Sequence, residues 1–255
     1  GNIVWEDIDG DGKQDPTEPG IGGVKVTLTG TTGNGTDVML MTNTNPDGTY
    51  IFDDLVPGDY KVTFAQPAGY KPTFFEEPTL ADDTNDSDAD PANMLMTTPI
   101  TLVSGDSIPD LDAGFYKPSK LGDFVWEDAN YNGVQDAGEK GIKGVTVTLT
   151  GTDGLGDGIA PIIVQSDDNG MYMFGDLAPG DYVVTFSQPT GYEPTAFDDP
   201  KTNGNDANDS DADPTNGLKV VSTNVMSGDT IPTLDGGFVI LSKLFLILNI
   251  YKPFN

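Results

Sequence analysis

A twelve-residue pattern that occurs twice carries the most specific chemistry in this chain. The first copy is Asp7-Ile8-Asp9-Gly10-Asp11-Gly12-Lys13-Gln14-Asp15-Pro16-Thr17-Glu18 and the second is Asp128-Ala129-Asn130-Tyr131-Asn132-Gly133-Val134-Gln135-Asp136-Ala137-Gly138-Glu139. Side-chain oxygens fall at positions 1, 3, 5, 9 and 12, with glycine at position 6, which is the ligand spacing of an EF-hand calcium loop. In the first loop Asp7, Asp9, Asp11 and Asp15 would each offer one oxygen and Glu18 two. In the second, Asp128, Asn130, Asn132, Asp136 and Glu139 take those places. Lys13 and Val134 occupy the position that offers only its backbone carbonyl, so their side chains are free to differ. Gly12 and Gly133 take the sharp turn that a Cβ disfavours. A solvated acidic turn is the competing reading of one such loop; its recurrence at equivalent points of a repeat favours calcium.

A second acidic cluster, Asp86, Asp88 and Asp90, recurs as Asp209, Asp211 and Asp213 inside the unchanged heptapeptide Asn-Asp-Ser-Asp-Ala-Asp-Pro. Carboxylates this close repel unless protonated or paired with a cation, and a bound metal is the simplest remedy; a solvated acidic loop is the alternative. Asp112 and Asp235, in Leu-Asp-Ala-Gly-Phe and Leu-Asp-Gly-Gly-Phe, are expected on a final strand where they could close that site.

These residues must be positioned by strands. Val24, Val26 and Leu28 alternate with polar neighbours, as do Tyr50 and Phe52, and Tyr60, Val62 and Phe64. The second copy repeats the pattern with Val145, Val147, Leu149, with Tyr172, Phe174, and with Tyr182, Val184, Phe186. A period of two marks strands with one buried face. Turn signals such as Pro46-Asp47-Gly48 and Pro57-Gly58-Asp59 separate them. No helical period flanks either calcium loop, so EF-hand helices are not expected. The aromatic residues, including Trp5, Trp126 and Tyr70, read as core rather than as a sugar-stacking platform. The expected fold is all-β: two tandem Greek-key β-sandwiches, Ig-like or prealbumin-like, one per repeat.

The repeat sets the domain plan. Matching segments are offset by 121 to 123 residues, so insertions are few. The expected units are repeat 1 at 1–116, a short linker at 117–121, repeat 2 at 122–238, and an atypical apolar tail at 239–255. Ser242-Lys243-Leu244 repeats Ser119-Lys120-Leu121, but Phe245 follows where Gly122 would; a third repeat broken off is the expectation, a packed strand or membrane tail the alternative. The tail falls short of the ~20 apolar residues of a membrane span, and no membrane role is expected. The loop Asp128–Glu139 is expected beside the junction between repeats.

Composition removes several function classes. The chain has 255 residues, 41 acidic against 12 basic, and a net charge of −29; such a surface repels nucleic acid. It contains no His and no Cys, which removes the commonest general base, Ser-His-Asp arrangements, disulfides and thiolate metal sites. Calcium is then the available staple. No enzymatic role is expected, since no carboxylate pair stands out from the candidate metal ligands.

The run Gly122-Asp123-Phe124-Val125-Trp126-Glu127-Asp128, continued through Gly133 to Gly144-Val145-Thr146-Val147, resembles the B repeats of Ser-Asp-repeat surface proteins. Leu177-Ala178-Pro179-Gly180-Asp181-Tyr182 and the Asp209–Asp213 cluster fit the same SdrD B-like pattern, related to collagen-adhesin B-type modules. The resemblance covers both copies. It implies sandwiches binding several calcium ions in a stalk, part of a longer multidomain, secreted or cell-surface chain. Any protein or glycan ligand would then be gripped by other domains. Related modules carry a Lys–Asn isopeptide crosslink; Val62-Thr63-Phe64-Ala65-Gln66 lacks the expected Glu and no Asn ends the last strand, so none is expected here. A ligand-binding module is the alternative function.

Overall fold

The computed structural model describes residues 1–75, 85–197, 208–220 and 223–242. Two sandwiches follow one another, each with its own core. Repeat 1 contains β1 (Val4–Glu6), β2 (Lys25–Thr32), β3 (Asp37–Asn43), β4 (Gly58–Phe64), β5 (Lys71–Pro72), β6 (Ile100–Leu102) and β7 (Ala113–Tyr116). Repeat 2 contains β8 (Ser119–Glu127), β9 (Lys140–Gly141), β10 (Thr146–Asp153), β11 (Ile162–Gln165), β12 (Met171–Leu177), β13 (Gly180–Phe186), β14 (Tyr192–Pro194), β15 (Thr223–Val225), β16 (Thr230–Ile231) and β17 (Gly236–Ile240). No helix among the described residues is long and apolar enough to cross a membrane.

The two repeats share one architecture. One sheet has the order β3-β2-β4-β6 in repeat 1 and β11-β10-β13-β15 in repeat 2. The facing sheet is β1-β7-β5 in repeat 1 and β12-β8-β17-β14 in repeat 2. The alternating residues point inward as the period of two requires: Val26, Leu28, Tyr60, Val62 and Phe64 are buried in repeat 1, and Val147, Leu149, Tyr182, Val184 and Phe186 in repeat 2. Trp5 and Trp126 are fully buried. Edge-on ring pairs extend both cores, Tyr50 with Phe64 and Tyr172 with Phe186.

One pairing decides where the acidic loops lie. The first and last strands of each repeat run parallel, β1 with β7 (Trp5 opposite Gly114) and β8 with β17 (Trp126 opposite Gly237). The close fit uses glycine: a Cβ on Gly114 would stand 2.7 Å from the Trp5 ring, and one on Gly237 2.8 Å from the Trp126 ring. Parallel pairing puts the end of β1 beside the end of β7. The loop 7–18 therefore sits where the chain leaves repeat 1. This corrects the expectation for the junction: Asp7–Glu18 lies there, and Asp128–Glu139 lies at the far end of repeat 2.

Three further expectations change. Ser119, Lys120 and Leu121, expected in a linker at 117–121, begin β8, and Ser119 and Leu121 are fully buried; only Lys117 and Pro118 separate β7 from β8. Tyr50-Ile51-Phe52 forms no strand, although its counterpart is β12. β12 forms where Met171–Leu177 pairs with Ser119–Phe124. Val239 and Ile240 belong to β17, whereas the remainder of the expected tail from residue 243 lies outside the described residues.

Candidate metal centre

The buried anchor of the first loop is Asp7, which follows β1 directly. Its Oδ1 accepts the Gly10 N–H at 2.7 Å and its Oδ2 the Gly12 N–H at 2.9 Å, together with the Thr73 hydroxyl. Asp128 repeats this. It accepts the Tyr131 N–H at 2.6 Å, the Gly133 N–H at 2.8 Å and the Thr195 hydroxyl. Glu18 closes loop one as a clasp, accepting the Ile8 N–H at 2.6 Å and the Asp15 N–H at 3.0 Å. Glu139 does the same with Ala129 and Asp136. Asp7 Oδ1 and both oxygens of Glu18 and Glu139 accept one of these bonds each and keep a second lone pair for a cation, whereas Asp7 Oδ2 and both oxygens of Asp128 accept two.

In loop one, oxygens of Asp7, Asp9 and Asp11 gather within 4.8 Å of one another. Asp15 and Glu18, expected in the same set, are not members of that group. Asp11 accepts the Lys13 N–H at 2.8 Å, which turns the Lys13 backbone toward the second cluster. Burial pushes the Asp7 carboxyl up from its usual range, against the opposing pull of its donors Thr73, Gly12 and Gly10. Burial raises Asp11 too, with Asp9 and Asp15 adding repulsion, and drives Glu18 up to about 7. Three oxygens crowded in this way suit a hard cation of the calcium type.

Loop two is built differently. Asn130 and Asn132 replace Asp9 and Asp11, and their amide groups donate to Asp136 at 2.7 and 3.0 Å. Their Oδ1 atoms remain oxygen donors of the kind calcium accepts; that of Asn132 also receives the Val134 N–H at 2.8 Å.

The second cluster adjoins the loop in each repeat. Lys13 bridges to Asp86 and Val134 to Asp209, and the Gln14 and Gln135 N–H groups donate to Asn85 and Asn208 carbonyls at 2.6 and 2.7 Å. The position-7 backbone of each loop thus lies against the first aspartate of each cluster. Asp88 accepts the Asp112 N–H at 2.7 Å while its own N–H donates to the Asp112 carbonyl at 3.0 Å. Asp211 and Asp235 repeat the exchange at 2.7 and 2.9 Å. Asp112 and Asp235 stand one residue before β7 and β17 rather than on them. Asp90 and Asp213, expected as ligands, cap the 3-10 turns at Pro91–Asn93 and Pro214–Asn216, each accepting the N–H two residues on at 2.8 Å through Oδ1.

One difference between the clusters escaped sequence reasoning. Asn2 donates to Asp112 Oδ2 at 3.2 Å, but its counterpart in repeat 2 is Asp123. Burial raises Asp112 to about 7, with the Ile3 N–H and Asn2 opposing. Burial raises Asp235 to about 9, and Asp123 and Asp211 add to it. Asp235 is fully buried, and its Oδ2 has no hydrogen-bond partner among the described residues. A buried acceptor with no donor beside other carboxylates is satisfied either by its own proton or by a cation. Thr73 and Thr195 were missed as well; the shared Pro-Thr that ends Gly-Tyr-Lys-Pro-Thr and Gly-Tyr-Glu-Pro-Thr was the available signal.

The loop at the exit of repeat 1 is also a structural contact. Ser227 donates its N–H to the Ile8 carbonyl at 2.8 Å. Glu6 accepts Lys117 Nζ at 2.7 and 3.0 Å, the Ser227 hydroxyl at 2.8 Å and the Tyr70 hydroxyl at 3.0 Å. Burial alone would raise the Glu6 carboxyl, but Lys117, Ser227 and Tyr70 outweigh it and hold it below its usual value. Gly10 is required here: a Cβ would lie 2.9 Å from Pro179 of repeat 2.

The sequence model for the SdrD B-like domain matches residues 1–115 and again 119–238. The chain is 44% identical over 247 residues to serine-aspartate repeat-containing protein D of Staphylococcus aureus strain MW2, covering 96% of this chain and 16% of that protein. It is 40% identical over 239 residues to serine-aspartate repeat-containing protein F of Staphylococcus epidermidis, covering 93% of this chain and 12% of that one. Among solved structures, the minor pilin GBS52 of Streptococcus agalactiae aligns over 94% of both chains with a TM-score of 0.33 and 13% identity. On the strength of the two family matches and the identity across nearly its whole length, the chain belongs to the SdrD B-like domain family, as two tandem members.

Proposed function

We propose that the two repeats are calcium-stabilised spacer modules of a longer, secreted or cell-surface, adhesin-like protein. The observation that carries the calcium reading is the gathering of Asp7, Asp9 and Asp11 oxygens at the exit of repeat 1. The partnerless Oδ2 of Asp235 supports it independently. In loop one Asp7, Asp9 and Asp11 would hold the ion, with the Lys13 carbonyl and Glu18 completing the shell. In loop two Asp128, Asn130, Asn132 and Asp136 would do so, with Val134 and Glu139. Asp86, Asp88 and Asp112, and Asp209, Asp211, Asp235 and Asp123, are the candidates for a second ion in each repeat. A cation binding only the folded state stabilises it by about 2.7 kcal/mol per site at a hundredfold excess over Kd.

The spacer role rests on family membership, on the two-repeat plan, and on the direct β7–β8 connection with its Glu6–Lys117–Ser227 contact. Burial of the aromatic cores gives no support to a sugar-stacking surface. The test is thermal melting and protease resistance of the full chain in calcium and in EGTA. The expected result is a lower melting temperature and faster cleavage in EGTA; unchanged values would refute calcium stabilisation.

A further inference from the structure

In a chain of net charge −29, one sheet edge carries almost no charge. It belongs to β3, the terminal strand of the sheet β3-β2-β4-β6. Its seven residues, Asp37-Val38-Met39-Leu40-Met41-Thr42-Asn43, include no base and a single acid at one end. Met39, Leu40 and Met41 are 64%, 42% and 54% exposed. Open edges are ordinarily blunted by lysine, proline, a bulge or a short strand, because their unpaired backbone groups invite another strand.

The equivalent edge in repeat 2 is blunted. β11 has four residues, and Pro161 precedes it. An antiparallel ladder turns the backbone groups of every second residue away from its partner. In β11 the Ser166 N–H donates inward to the Val145 carbonyl at 3.0 Å, so Pro161, Ile163 and Gln165 face the open side. Pro161 has no N–H to give there. In β3 the Thr44 N–H donates inward to the Val24 carbonyl at 2.9 Å. Asp37, Met39, Met41 and Asn43 therefore face the open side, each with an N–H and a C=O. Among the described residues no strand pairs with that side.

We propose that β3 is a self-association edge whose occupant is β3 of a second copy of the chain. The strand is complementary to itself when two copies run antiparallel about Leu40. Met39 then lies opposite Met41 of the other copy, and these outward-facing residues exchange N–H and C=O bonds. Leu40 meets Leu40 beside the core, where it already pairs with the buried Leu28. Asp37, the one charge, meets Asn43, whose side-chain amide can donate to it. Parallel alignment in register would instead set Asp37 beside Asp37, and like charges repel. The contact uses the same surface on both copies and closes as a two-fold pair. A ladder of this length makes a small interface, under about 1,200 Å² in total, so the pair is weak. The acids elsewhere on the two copies oppose it until salt screens them. None of this rests on calcium.

The test is sedimentation equilibrium of the full chain at fixed calcium, over rising protein and sodium chloride concentrations. The expected result is a monomer–dimer equilibrium that tightens about tenfold between about 0.05 and 0.5 M salt. Met39→Lys with Met41→Lys sets like charges opposite each other twice and should weaken the dimer about tenfold. Met39→Lys with Met41→Glu sets a lysine opposite a glutamate twice and should restore the affinity to within about threefold. Both substitutions fall on exposed side chains, and a melting scan checks that each variant folds. A monomer at every concentration and salt overturns the proposal and leaves the edge to a strand of another protein. Equal behaviour of the two double variants overturns it as well, because only the cross-strand register distinguishes them. Dimers that weaken as salt rises, or that Ile163→Lys abolishes, also overturn it, since the contact then lies elsewhere.

Discussion

The loops at 7–18 and 128–139 share a ligand spacing and differ in almost everything that surrounds it. Loop one brings three carboxylates together and presses Gly10 against Pro179 of the next repeat. Loop two softens the same positions with Asn130 and Asn132, whose amides are already bound to Asp136, and carries the exposed Tyr131 where loop one has Gly10. The comparison teaches that one spacing can be carried by loops of different charge count and different neighbours, which would set what a bound ion does in each. On the proposed calcium reading, a cation in loop one would relieve repulsion at a joint, and in loop two it would tighten a loop that can satisfy itself.

Calcium removal should separate the two most strongly. Loss of about 2.7 kcal/mol per site corresponds to a fall of roughly 10–20 °C for a domain of this size. Calorimetric scans in EGTA should show it, and repeat 1 should fall further. Next in size, Asp7→Ala strips three donors of their acceptor and Asp128→Ala four. Each should cost about 2–4 kcal/mol by chemical denaturation, even in EGTA, because the hydrogen bonds are made without the ion. Asp9→Ala and Asn130→Ala should diverge: calcium affinity of loop one should drop about tenfold and that of loop two by less, since a charged ligand is lost only in the first. A calcium titration of each variant checks this.

Acidity offers another contrast. Burial, with Asp123 and Asp211 adding to it, pushes the Asp235 carboxyl up to about 9 in the folded chain, against about 3.9 when unfolded. A raised carboxyl favours folding below the unfolded value and loses that contribution as pH rises through the folded one. In EGTA, repeat 2 should therefore melt at a lower temperature at pH 8 than at pH 5. Calcium displaces the proton, so its stabilising effect should grow over the same interval. The smallest effect on folding belongs to Gly10→Tyr, which borrows the residue of loop two. The ring cannot fit against Pro179, so the joint should open while each repeat's own melting changes by under about 1 kcal/mol, as for a surface change. Small-angle scattering should report the altered shape.

Much of the fold was legible because the cores obey a strict period of two: Val26, Leu28, Val62 and Phe64 are buried where alternation put them. The recurrence of the two acidic loops was legible because their residue spacing is local. What was hidden depends on contacts distant in the chain. Parallel pairing of β1 with β7 joins residues over a hundred positions apart, and it moved the junction from loop two to loop one. The Thr73 and Thr195 donors reach Asp7 and Asp128 across 66 and 67 positions, and only their repetition hinted at a role. The capping role of Asp90 and Asp213 was hidden because acidic spacing alone does not reveal a cap, although the proline that follows each was a local signal. Ser119–Leu121 looked like a linker because three residues show no period; their burial comes from the strands on either side.

The central claim is that crowded carboxylates hold calcium in each repeat and that the first site braces the joint. Isothermal titration of the full chain with calcium tests it most directly. The account predicts saturable binding of at least one ion per repeat, with the loop-one site weakened by Asp9→Ala. The absence of binding heat at any pH between 5 and 8, together with identical melting curves in calcium and EGTA, would contradict it.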